Sequence, residues 1–98
     1  NGGLVLDRKQ RIAIAEGEEV RLTATEYKIL LLLMEHPGQV FSAEQIYERV
    51  WEESAGYAVE NTVMVHIRHI REKIEIDTKK PRYVKVVWGI GYKMEKYR

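Results

Sequence analysis

In "VHIRHIREKIE", His66, His69 and Glu72 follow one another at three-residue intervals. Two imidazoles and a carboxylate along one helical flank form a donor set for zinc or copper. The remaining histidine, His36, lies far upstream. There is no cysteine, so no thiolate chemistry and no disulfide framework. No glycine-rich phosphate loop and no nucleophile–base pair can be recognised. The apolar stripe of the same helix is Val63, Ile67, Ile70 and Ile74, so the three candidate ligands would stand in open water, without the shelter a metal site needs. The metal reading is therefore the weaker one, and neither enzymatic activity nor a cofactor is expected.

A second chemistry uses much of the same face. At 100° per residue, Val65 falls about 170° from the isoleucine stripe, in the middle of the wet side. Around it stand Asn61, Thr62, Arg68 and His69. An α-helix fits the DNA major groove, where the thymine methyl is the one apolar group on a base edge. A valine among hydrogen-bonding side chains suits that surface. Arg71 and His66 lie on the flanks, where a phosphate is the natural partner for Arg71. Against this stands the plain fact that single exposed valines are common, and a dimer partner could also cover one.

The elements that would position this helix can be read in order. "LVLD" (4–7), "RIAIA" (11–15) and "EVRL" (19–22) alternate apolar and polar residues between turn-like breaks, and predict an antiparallel meander. Thr23 and Glu26 have capping-box spacing, with Leu22 and Tyr27 as a hydrophobic staple. They start a helix over 24–35 that His36-Pro37-Gly38 ends. It is apolar on most sides and should be the central core helix. Ser42 and Gln45, with Phe41 and Ile46, repeat the device for a helix over 43–50 that buries Ile46, Tyr47 and Val50 and ends beside Trp51. Residues 52–58 read as a loop, and 59–75 as the third helix.

"RYVKVVW" and "YKMEKY" flank Gly-Ile-Gly and predict a hairpin over 82–97, with Gly89 and Gly91 giving the turn its freedom. The hairpin carries Arg82, Lys85 and Lys93. Trp88 either packs on Tyr92 or reaches out to stack on a sugar or wedge near a groove. Trp51 can donate its indole N–H while its ring packs inward. The expected class is α+β: an N-terminal antiparallel sheet, three helices and a C-terminal hairpin wing, a winged helix-turn-helix.

Length and charge fit. Ninety-eight residues suit one domain over 1–98, with residues 1–3 as linker or cloning remnant. An apolar content of 45% argues against disorder, and no apolar run is long enough to span a membrane. Net charge is only +1, but it is unevenly spread. Residues 15–65 carry three Lys/Arg against ten Asp/Glu, and residues 66–98 carry ten against four. The basic final third gives polyanions one attractive face. The alternative is a winged helix that binds protein through the acidic stretch 15–65.

Three stretches together resemble the DNA-binding effector domain of OmpR/PhoB-type response regulators, most closely the VanR-type branch. They are "LTATEYKILLLLMEHPGQVFSAEQIYERVW", "NTVMVHIRHIREKIE" and "VKVVWGIGYK". The resemblance implies a four-stranded N-terminal sheet, a three-helix core and a wing. It also implies a receiver domain outside this chain, phosphorylated by a sensor histidine kinase and dimerising in the full-length protein. Further implications are tandem direct repeats of duplex DNA as target, RNA polymerase contact through loop 52–58, and a bacterial cytoplasmic location. By position, Thr62, Val65, Arg68 and His69 fall where the family reads bases. Trp51, Asn61, His66, Arg71 and Tyr92 fall where it holds phosphates. Met64, His69 and Trp88 depart from common members, which carry an acidic residue, arginine and arginine there. A different sequence preference is therefore expected.

Overall fold

Two capping boxes fix where the first helices begin. Thr23 Oγ1 accepts from the Glu26 amide at 3.2 Å, and the Glu26 carboxylate accepts from the Thr23 amide at 2.9 Å. Ser42 and Gln45 repeat the exchange at 3.1 and 2.9 Å. Each satisfies two amides that a helix N-terminus leaves free. The resulting helices are α1 (Ala24–Glu35) and α2 (Ala43–Trp51), and α3 (Val59–Ile74) follows. The computed structural model describes residues 2–97.

Two three-stranded antiparallel sheets bracket the helices. β1 (Leu4–Asp7), β2 (Ile12–Ala15) and β3 (Glu18–Arg21) form a meander with Leu4 opposite Ala15 and Ala13 opposite Val20. The second sheet has the order β4-β6-β5, from β4 (Val40–Phe41), β5 (Val84–Val87) and β6 (Gly91–Met94). The four-stranded N-terminal sheet implied by resemblance is thus a three-stranded one among the described residues. Gly3 is nonetheless tied in: its amide donates to the Tyr83 hydroxyl at 3.1 Å, and its carbonyl accepts from Glu16 N–H at 2.8 Å.

The core runs from Leu4 and Ala13 through Ile29, Leu30 and Leu33 of α1 to Ile46 of α2. It continues through the α3 stripe to Phe41, Val84 and Met94. On β2 the buried face belongs to Ala13 and Ala15, while Ile12 and Ile14 are half-exposed. Glu26 is buried, and the Lys73 ammonium meets its carboxylate at 2.5 Å. Tyr47 departs from its expected burial. It is half-exposed, its ring stacks on Trp51, and its hydroxyl donates to Glu53 at 3.2 Å.

Gly91 serves a purpose other than the one the turn suggested. A Cβ there would stand 2.0 Å from the Phe41 carbonyl oxygen, so its bare backbone is what lets β6 approach β4. The turn itself relies on Gly89, at φ +78°, and closes with Ile90 N–H donating to Val87 O at 3.0 Å.

Candidate nucleic-acid interface

Burial divides α3 as its sequence period demands. Val63, Ile67, Ile70 and Ile74 are at most 3% exposed, whereas Val65 is 37% exposed on the opposite side. Asn61 and Arg68 are exposed beside it, and Thr62 and His69 half-exposed. Arg68 makes no ion pair among the described residues. Thr62 Oγ1 donates to the Ala58 carbonyl at 3.2 Å, which leaves its lone pairs free to accept. The four base-reading candidates thus share one accessible face.

The flanking residues are more committed. His66 Nδ1 lies 2.8 Å from the Thr62 carbonyl, which can only accept, so Nδ1 carries a proton. A neutral His66 then has only an acceptor at Nε2. It holds a phosphate only as the imidazolium, with a donor at Nε2. The ring also sits edge-on to Trp51 at 5.2 Å, and Trp51 stacks on Tyr47 at 4.8 Å. Trp51 is therefore half-buried in an aromatic ladder joining α2 to α3.

Arg71 departs further from expectation. Its Nε and Nη2 donate to the Val84 carbonyl at 3.1 and 3.0 Å, and its guanidinium lies 5.9 Å above the Tyr92 ring. Burial lowers its pKa from the usual value, and Tyr92 and Glu75 oppose the shift. Two of its five N–H groups are committed to the wing, so it is first an anchor of the hairpin.

Sequence reasoning missed its partner, Glu75. That carboxylate is buried just beyond α3 and accepts from Arg82, Tyr83 and Val84 amides at 2.7, 3.0 and 2.9 Å. Residues four apart at one helix end thus grip both the N–H and the C=O of Val84, fixing the wing's angle to α3. Side-chain bonds to a distant backbone leave no trace in sequence spacing.

On the wing, Lys85 and Lys93 face each other across the ladder, and Tyr92 pairs with Val86 on one side and Phe41 on the other. Lys93 Nζ lies 3.9 Å from Glu95. Trp88 is 87% exposed, so the alternative in which it packs on Tyr92 is not the one adopted. Met64 is also exposed, and so is Ile90, which was not singled out. An open groove of ≈ 380 Å³ separates α3 from the wing tip, with Asn61 and Met64 on one wall and Val86, Trp88 and Ile90 on the other. Among the described residues no helix is long and apolar enough to cross a membrane, and no group of three His, Cys, Asp or Glu converges as a metal site.

Comparison with known proteins agrees with this geometry. Residues 17–94 match the family described as "Transcriptional regulatory protein, C terminal". Regulatory protein VanRc of Enterococcus gallinarum is 47% identical over 94 residues, covering 96% of this chain and 40% of that protein. The chain therefore spans about two fifths of the length of such relatives. The response regulator DrrB, a Thermotoga maritima OmpR/PhoB homolog, superposes with a TM-score of 0.84 at 34% identity, over 97% of this chain and 42% of that one. The DNA-binding domain of AdeR, solved in complex with an intercistronic region, gives 0.76 at 26% identity, over 96% and 95%.

Proposed function

The chain belongs to the family of C-terminal domains of transcriptional regulatory proteins, OmpR/PhoB type, and on that footing we propose how it engages duplex DNA. α3 lies in the major groove with Thr62, Val65, Arg68 and His69 against base edges. Trp51, Asn61, Tyr92, Lys85, Lys93 and the outer nitrogen of Arg71 hold phosphates, joined by His66 once protonated. The wing rests on the adjacent backbone or minor groove, and no bond of the DNA is made or broken. The single observation that carries this reading is the accessible face of α3. There an unpaired arginine and a valine stand together opposite a fully buried isoleucine stripe.

In the longer protein this domain is the effector of a receiver phosphorylated by a sensor histidine kinase in the bacterial cytoplasm. It dimerises there on tandem direct repeats and touches RNA polymerase through loop 52–58. In that loop Tyr57 is fully exposed and Ala58 holds φ +63°. One module typically buries roughly 600–1,000 Å², so a lone copy binds modestly. The acidic-surface alternative is not favoured, because it gives no use to the α3 face.

Selection from random duplexes, followed by binding at several salt concentrations, tests the proposal. Log K falls with log salt by about 0.9 for each phosphate neutralised. Val65→Ala relaxes preference at one thymine by about 1 kcal/mol and leaves the slope alone. Affinity that ignores salt, or a base profile unmoved by Val65→Ala, refutes it.

A further inference from the structure

The wing tip carries apolar side chains where a cation would be the usual means of approaching DNA. Trp88 is 87% exposed and Ile90 63%, and they flank Gly89 in a turn closed by the Ile90–Val87 hydrogen bond. The apolar face of the hairpin emerges from the core without interruption. Val84 and Met94 are fully buried, while Val86, two pairs nearer the tip, is already 36% exposed. Lys85 and Lys93 stand opposite each other further back, so the tip itself is uncharged. Across the groove, Met64 is 51% exposed on α3, and Glu44 and Glu60 border the floor. Those carboxylates repel phosphate. What they leave for the tip is the uncharged part of a duplex, its deoxyribose faces and base edges.

We propose that Trp88, supported by Ile90, is an apolar wedge that enters the minor groove beside the α3 site and partly unstacks one base step there. The inference rests on the DNA reading above. The occupant is duplex DNA because the tip continues the same surface as α3 and shares a groove with Asn61 and Met64. Its position is also not free. Arg71 and Glu75 hold Val84, at the hairpin's base, to the end of α3, so seating the helix in the major groove delivers the tip to a set place on the duplex. Apolar wedges kink DNA toward the major groove and cost least at flexible pyrimidine–purine steps. The chain therefore gains a sequence preference at a step that no hydrogen bond reads. It is a preference for TA or CA/TG, in place of the narrow A-tract groove that a wing arginine favours.

The test uses the 98-residue chain with a duplex taken from selection. Trp88→Ala weakens binding about tenfold, as loss of one aromatic stacking contact does, and leaves the salt slope unchanged. Trp88→Arg recovers part of the affinity, steepens the slope by about one, and moves the preference at the wing step toward A-tracts. With 5-fluorotryptophan in the chain and Trp88→Phe to assign its resonance, the Trp88 fluorine signal shifts on adding duplex. Fluorescence of 2-aminopurine at the wing step rises as that base unstacks.

If the chain binds duplex but Trp88→Ala costs less than twofold and the Trp88 signal stays put, the wedge is wrong and the α3 reading survives. If that signal shifts with protein concentration alone, a second copy covers the tip and the wedge is wrong. If no duplex binds at all, the DNA reading falls and takes the wedge with it.

Discussion

Removing the Glu75 carboxylate probes how the wing is held to α3. Glu75 accepts three backbone N–H groups, and two of the donors, on Tyr83 and Val84, are at most 1% exposed. Water cannot replace the acceptor at those two. A buried donor left unsatisfied costs roughly 1–3 kcal/mol, while the exposed Arg82 amide turns to solvent at little cost. Glu75→Ala is therefore expected to destabilise the fold by about 3 kcal/mol. A domain of this size loses about 4–8 °C for each kcal/mol, which makes the fall in Tm about 12–24 °C. Glu75→Gln keeps one acceptor oxygen but turns an NH₂ toward the donors, and should lose about half as much. Urea unfolding followed by far-UV circular dichroism, with a common slope for all variants, gives the comparison. A loss below about 1 kcal/mol for Glu75→Ala would mean that the wing is held by its apolar contacts alone, and would refute the clamp.

Three further perturbations bear on other parts of the fold. Gly91→Ala puts a methyl 2.0 Å from the Phe41 carbonyl oxygen, so β6 must leave β4; about 3 kcal/mol of stability should go, and hydrogen exchange should quicken at Val40 and Phe41. Ala58→Gly relieves a left-handed alanine at φ +63° and should add about 0.5–1 kcal/mol by chemical denaturation, whereas an unchanged midpoint would mean the strain is absorbed elsewhere. For Glu26, burial pushes the carboxyl pKa up, but Lys73 and the Thr23 amide outweigh it and hold it below its ordinary 4.5. Its stabilising contribution is thus complete above the ordinary carboxylate pKa and is lost as pH falls through the lowered value. Lys73→Met should cost about 2 kcal/mol at neutral pH, since Lys73 is one third exposed, and should flatten or reverse the acid limb of the stability curve. An acid limb identical to that of the parent chain would show that the pair does not govern it.

Much of the architecture was legible because its signals are local. Thr23–Glu26 and Ser42–Gln45 are side-chain pairs at fixed spacing, and α1 runs over Ala24–Glu35 as that spacing and Pro37 dictate. The α3 stripe follows from period alone, and so does the exposure of Val65. What escaped is non-local. β4 has two residues, too few for any alternation to register, and it exists because Gly91 lets β6 come close. Ala13 and Ala15 take the buried face of β2 although Ile12 and Ile14 are more apolar, because the meander's pairing sets the face and the size of the space decides the residue. Arg71 reads as a phosphate ligand by type and position. Only the fold brings the Val84 carbonyl to its guanidinium and commits two of its five N–H groups to the wing.

Titrating the isotope-labelled chain with a selected duplex, and following amide and methyl NMR signals, tests the central claim most directly. The signals of Thr62, Val65, Arg68 and His69 should move furthest, those of the wing should follow, and Ile29, Leu30 and Leu33 inside α1 should stay still. Shifts gathered instead on the acidic surface of residues 15–58, with Val65 silent, would contradict the assignment of α3 as the reading helix.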